Sequence, residues 1–288
     1  MLIKISHLRK KLITMSWISN IFKRKEKVST SGAKAKKADK AKQTATSSVA
    51  KTIKDATKKT ELVSYGGELE PAIIIANRFP EYYKNLHIIL DNGHGEETPG
   101  KRSPDGRFRE YRFNREMVAM IANKLDQLGI SYSILVPEIN DITLAERVKR
   151  ANAIHAEMHK QGKLTILISV HVNAAGRGGW LNARGWCAYT SVGVTESDKL
   201  SACFYEAAHE ILDPQGLKIR SDRSDGDEDQ ESNFYIIYKS SMPAVLTENF
   251  FQDNKQDVEY LESEAGRNDV CAIHINAIRK YADLKFKK

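Results

Sequence analysis

Cysteine is nearly absent from this chain: Cys187, Cys203 and Cys271 are the only three in 288 residues. Their odd number and wide spacing argue against a disulfide framework, and each reads as a small buried hydrophobe. No N-terminal apolar run is long enough to cross a bilayer. The best candidate, Leu12–Phe22, is short and is broken by Thr14, Ser16, Ser19 and Asn20. It follows Arg9-Lys10-Lys11 and leads into further basic residues instead of a small-residue cleavage site, so no secretion signal is expected. No internal repeat is present, which sets solenoid and propeller architectures aside. Residues 29–60 hold no aromatic residue and few apolar ones. Rich in Lys, Ala, Ser and Thr, they cannot build a core and read as a disordered arm or linker.

What is present is charge, unevenly spread. Residues 1–60 hold 17 of the 45 Lys and Arg but 3 of the 37 Asp and Glu, a net of +14, which leaves −6 on the remainder. The overall +8 therefore belongs to the arm, and no nucleic-acid partner is expected. Within the arm, Ile13, Trp17, Ile18, Ile21 and Phe22 would share one face of a helix, followed by Lys23-Arg24-Lys25. This fits a short interfacial helix touching an anionic membrane or wall polymer; a frayed basic terminus is the alternative.

The expected organisation is a basic arm over 1–60, an unassigned lead-in over 61–83 and one catalytic domain over 84–288. Strand-like segments fall at Leu86–Leu90, Tyr132–Val136, Leu164–Val170, Gly185–Thr190, Phe234–Tyr238 and Ala244–Glu248. Helical periodicity falls at Glu110–Leu128, Thr143–His159, Glu196–Leu212 and Ala265–Ala282. The alternation predicts an α/β fold: a central, mostly parallel sheet of about six strands with helices on both faces. Sites in such folds gather at strand ends. The acidic stretch from Arg220 to Glu231 reads as a solvated loop.

Four segments carry candidate chemistry. Gly93-His94-Gly95 ends the first apolar strand, its glycines allowing a tight turn and room near the ring. Ser169-Val170-His171-Val172-Asn173 places a second imidazole at the end of another central strand. Glu110 opens the first long helix, where a carboxylate suits the helix dipole but also follows a Gly- and Pro-containing loop that starts after His94. Glu96, Glu97 and Glu116 compete with it on spacing alone. Glu248 closes the apolar run Ala244–Leu246 and precedes two aromatics, a costly place for a carboxylate unless it is paired or functional. Buried there, its pKa would rise toward a range useful for moving protons. His155 and His159, spaced i, i+4 on a polar helix without a nearby acidic base, read as surface residues.

Together, Gly93-His94-Gly95, Glu110 with Asn114, Ser169-x-His171-x-Asn173-Ala174 and Pro243-Ala244-Val245-Leu246-x-Glu248 resemble the zinc-dependent N-acetylmuramoyl-L-alanine amidases, in the amidase-3 branch of cell-wall hydrolases. Leu144-x-Glu146-Arg147-Val148 resembles the family's helix before the second histidine, and Asn233-Phe234-Tyr235-Ile236 its strand before the glutamate. The resemblance covers roughly residues 84–284. It implies that His94, Glu110 and His171 bind one zinc ion and leave a position open for water, with Glu248 as the catalytic acid/base. Ser169, Asn114 and Asn173 would support the site. It also implies peptidoglycan as substrate and action in the periplasm or wall, as a phage lysis enzyme or as a bacterial enzyme exported by an atypical N-terminal segment. A zinc peptidase or an inactive wall-binding protein are the alternatives. The sequence departs from the family pattern at Glu96–Gly100 and at 175–184, where substrate contacts are expected. No long inserted helix that would plug the site is present.

Overall fold

The structure, a computed structural model, describes residues 79–176 and 178–287. The basic arm, with the interfacial helix expected in it, and most of the lead-in lie outside the described residues. A 3-10 turn, Glu81–Asn85, leads into strand β1, Leu86–Asn92. There follow α1 (Glu110–Leu128), β2 (Ser131–Ile134), α2 (Leu144–Lys160), β3 (Leu164–Asn173), β4 (Cys187–Thr190) and α3 (Glu196–Leu212). The chain then forms β5 (Gln230–Glu231), α4 (Tyr235–Tyr238), β6 (Ala244–Phe251), α5 (Lys255–Glu262) and α6 (Glu264–Phe286).

The strands form one six-stranded sheet in the order β2-β1-β3-β6-β4-β5. The first four run parallel, β4 runs antiparallel to β6, and β5 runs parallel to β4. Alternation along the central strands sorts side chains to two faces. Ile88, Leu90, Ile166, Ile168, Val170 and Val245 pack with α1, α3, α5 and α6. Ile89, Leu167, Ala244 and Leu246 pack with α2 and α4. The second layer is thinner, and it leaves the C-terminal ends of β1, β3 and β6 open on that face.

Helix boundaries follow local chemistry. Met117, Ile121 and Leu125 form the buried stripe of α1, and Gly129 ends it in the left-handed region at φ 70°. Thr143 caps α2 by accepting from the Glu146 N–H, and Thr195 with Asp198 forms a capping box on α3.

Two expectations need correction. Phe234–Tyr238 is not a strand: Tyr235–Tyr238 is a single helical turn. Ile236 and Ile237 are buried while Phe234, Tyr235 and Tyr238 are exposed, a spacing that turns two adjacent residues inward and that a strand cannot produce. The segment resembling the family's strand before the glutamate is therefore helical here. The sixth strand comes instead from β5, inside the acidic stretch expected to be loop throughout. Helix α5, capped by Asn254, had no counterpart among the expected elements.

Candidate metal centre

The turn after β1 is clamped from α1. Asn114 donates from Nδ2 to the Gly93 carbonyl (3.1 Å), and Arg115 donates from Nη1 to the His94 carbonyl (2.8 Å). The left-handed residue of the turn is His94 itself, at φ 63°. The two glycines serve close approach instead. A Cβ on Gly93 would lie 2.1 Å from Cε1 of His171, and one on Gly95 would lie 2.0 Å from the Asp141 backbone nitrogen. Gly93 thus makes room for the second histidine's ring, not for the ring of its neighbour.

His94, Glu110 and His171 arrive from three elements, and their candidate ligand atoms all lie within 4.8 Å of one another. Glu110 Oε1 is 3.4 Å from His94 Nε2 and 3.2 Å from His171 Nδ1, and the two rings meet edge to face at 4.8 Å between centroids. Of the four candidate carboxylates, only Glu110 joins this group. Glu96 accepts from the Tyr111 hydroxyl, Glu97 accepts from the Asp141 N–H, and Glu116 is exposed. Glu110 is fully buried and also accepts from the Val172 N–H (3.1 Å) and from Gln252 Nε2 (3.1 Å). Burial pushes its carboxyl up, but the hydrogen bond with His171 and the close approach of the His94 ring outweigh this and hold it well below the ordinary carboxylate range. Burial lowers the pKa of His94 despite Glu110. In His171 the Glu110, Glu248 and Asp91 carboxylates overcome the same burial penalty and raise it.

The buried His94 Nε2 has no properly formed hydrogen bond. Two imidazoles and an anionic carboxylate converge there in the donor set that a divalent metal with N and O preference takes. The residues present fit such an ion.

Glu248 stands opposite His171 in the β3–β6 register and opposite Cys187 in the β6–β4 register. These partners share one sheet face, so His171, Glu248 and Cys187 form a row. Glu248 Oε2 is buried without a hydrogen-bond partner. Burial, reinforced by the Glu110 charge and opposed by His171 and Lys101, pushes its pKa up to about 7. A cavity of about 360 Å³ opens beside His94 and His171, walled by Ile142, Leu144 and Ile236.

The supporting residues divide. Asn114 holds the turn as described. Ser169 donates to Asp91 Oδ2 (2.6 Å), and Asp91 is in turn held by Arg147 Nη1 (2.5 Å). Arg147 continues to the Asn92 carbonyl and to Asp141. Thr98 donates to Asp141 Oδ2 (2.6 Å) and accepts from the Gly95 N–H (2.9 Å), which docks the unusual Glu96–Gly100 loop. Asn173 instead accepts from the Ala174 N–H beside it and does not reach His171. The His171 carbonyl accepts from Asn249 Nδ2 (2.9 Å), whose Oδ1 accepts from Trp186 Nε1. Asp91, Arg147, Asn249 and Gln252 had no assigned role in the sequence. Asp91 carried a signal all the same, because a carboxylate in a wholly buried strand requires a cationic or donor partner. His155 stays apart, its ring hydrogen-bonded to Thr165.

After Glu248, β6 contains a bulge. His171 pairs with Glu248 but Asn173 pairs with Phe251, so two steps on β3 match three on β6. Phe250, at φ 65°, absorbs the extra residue. Phe251 thereby shares the face of Glu248, while Gln252 turns to meet Glu110.

Residues 88–280 match the model of a family described as N-acetylmuramoyl-L-alanine amidase. An endolysin of Bacillus phage SPP1 is 27% identical over 208 residues, covering 69% of this chain and 67% of that protein. The N-acetylmuramoyl-L-alanine amidase CwlM of Bacillus licheniformis is 27% identical over 201 residues, covering 69% and 70%. In three dimensions, an N-acetylmuramoyl-L-alanine amidase from Clostridium difficile 630 superposes with a TM-score of 0.59 at 22% identity, over 71% of this chain and all of that one.

Proposed function

This chain belongs to the N-acetylmuramoyl-L-alanine amidase family, and from that premise we propose that His94, Glu110 and His171 hold one zinc ion while Glu248 moves the proton. The enzyme is a hydrolase of the amide that joins the lactyl group of N-acetylmuramic acid to L-alanine in peptidoglycan. The observation that carries the site assignment is the convergence of three ligand atoms from three elements, with an unpartnered carboxylate next in the same row. Bound there, zinc supplies polarisation of the scissile carbonyl and a water activated near neutral pH. Glu110 reaches the site already anionic. Its remaining oxygen is held by Gln252, which directs Oε1 toward the histidines. Asn114 and Asn249 fix the backbones of the two histidine segments, so the rings are preorganised as ligands. Glu248 takes a proton from the attacking water and delivers it to the leaving amine; its raised pKa suits both halves of that transfer.

Metal analysis combined with digestion of purified sacculi tests this reading. The wild type should carry one zinc per chain and release stem peptides free of muramic acid. H171A should lose both properties. E248A should keep the metal and lose hydrolysis by about 10²- to 10⁴-fold, the range of general acid–base catalysis. Cleavage only within the peptide, or a wild type that binds no zinc, would overturn it. The same reading has the enzyme acting at the wall, with the basic arm adding salt-sensitive attraction to anionic membrane or wall polymers.

A further inference from the structure

We propose that Arg220 is the substrate-anion residue of this site, binding a carboxylate of the stem peptide on the side of Glu248 away from the metal; this rests on the amidase reading. Arg220 begins the acidic stretch between α3 and α4, which supplies none of the three candidate ligands. Its backbone is fixed at both ends: its N–H donates to the Trp186 carbonyl (2.8 Å), and its carbonyl accepts from the Tyr205 hydroxyl (2.9 Å). Its guanidinium carbon lies 5.2 Å from the ring centre of Phe251, the residue that the β6 bulge turns onto the face of Glu248. The same guanidinium neighbours the thiol of Cys187, which stands opposite Glu248 in the register. The row across the sheet therefore reads His171, Glu248, Cys187, with Arg220 closing it at the far end.

Arg220 lacks the partner that its setting calls for. Its Nε is buried without a hydrogen bond, and among the described residues no carboxylate lies within 4.0 Å of its side-chain nitrogens. Glu248 itself is beyond ion-pair distance. Arg147 meets Asp91 and Asp141, Arg150 meets Glu138 and Glu146, and Arg184 meets Asp257, while Arg115, which also meets no carboxylate, spends its donors on the His94, Tyr111 and Glu138 carbonyls. The six acidic side chains that follow Arg220 closely in sequence are spent elsewhere or exposed; Glu228 pairs with His209 and Arg223, and Asp229 accepts from Thr190. A guanidinium stacked on an aromatic ring, with donors left over and water partly excluded, is a planar fork suited to an incoming carboxylate. The leaving half of this substrate is a peptide that carries free carboxylates. An amide whose carbonyl lies at the metal and whose nitrogen faces Glu248 would extend its peptide past Glu248 toward Arg220.

The test uses the full chain with zinc and two synthetic substrates, N-acetylmuramoyl-L-alanyl-D-glutamyl-L-lysine and its D-isoglutaminyl counterpart, in which one carboxylate becomes a carboxamide. The wild type should prefer the free carboxylate by about tenfold or more in kcat/KM, mainly through KM, as loss of a charge-assisted hydrogen bond predicts. R220Q should bring the two substrates to near parity, and R220K should recover part of the preference. Thermal melting of each variant separates misfolding from lost recognition, since the ratio between substrates is insensitive to the active fraction. Equal cleavage by the wild type, or an undiminished preference in R220Q, overturns this inference alone. Cleavage of neither substrate by the wild type overturns the amidase reading and this inference with it.

Discussion

At the scale of single residues, the centre depends on clearances as much as on ligands. Gly93 has no side chain because the His171 ring occupies that space, 2.1 Å from where a Cβ would stand. G93A should therefore displace the ring and weaken zinc binding by at least about tenfold, comparable to losing a supporting contact. Competition with a fluorescent chelator would measure this, and wild-type affinity would show that the ring has another place to go. Q252L removes the donor that holds Glu110 Oε2 and should also weaken metal retention, by about 10- to 100-fold. Isothermal titration with zinc would report it directly. The two histidines and Glu248 were legible in the sequence, because imidazoles after apolar strands and a carboxylate ending one are conspicuous, whereas Glu110 stood level with Glu96, Glu97 and Glu116 on spacing. Gln252 was not, since nothing in local spacing shows that a residue 142 positions away from Glu110 meets its carboxylate.

Between elements, two buried polar links tie helices to the sheet. Arg147 of α2 pairs with Asp91 of β1 in a nearly solvent-free setting and braces the loop before α2 through Asp141. R147A would leave Asp91 buried and uncompensated, and should cost about 3–5 kcal/mol of stability in urea denaturation. On the other face, His274 of α6 is fully buried; its Nδ1 meets the Val270 carbonyl (2.7 Å) and its Nε2 the Thr247 hydroxyl (3.0 Å). Burial pushes its pKa down to about 4, so the folded protein resists protonation that the unfolded chain accepts near pH 6.5. The corresponding stability is complete above pH 6.5 and is lost as pH falls toward 4, on the order of 3 kcal/mol. Urea midpoints at pH 7 and pH 4.5 should show this fall, and H274Q should flatten it; an equal slope in the variant would remove His274 as the cause. Periodicity revealed the long helices and the central strands because each buries a continuous face. It failed at 234–238, where a β-prone composition meets a one-turn spacing. It also failed at β5, which is two residues long and held by pairing with β4 alone.

At the scale of the whole molecule, charge is partitioned along the chain: +14 on residues 1–60 and −6 on the rest. Removing residues 1–60 should abolish salt-sensitive adsorption to anionic vesicles and wall polymers without changing hydrolysis of a small soluble muropeptide. Co-sedimentation at low and at about 0.5 M salt would check it, and adsorption that survives the deletion would assign the attraction to the domain. The α/β architecture was readable from alternation, but the uneven layering was not. Four helices cover one face and two the other, α4 being a single turn, and on that thin side the cavity opens beside His94 and His171.

The bulge at Phe250 has a consequence for comparing this strand with others. Up to Glu248 the face of the metal centre takes every second residue, and beyond it the parity reverses. An alignment gap of one residue at 249–250 therefore exchanges inward and outward positions for the rest of the strand. Phe251 under Arg220 would be matched to a residue that belongs beside Glu110, and Gln252 to one that belongs on the face of Glu248. Roles transferred between relatives downstream of the glutamate hold only where the extra residue is aligned with an extra residue.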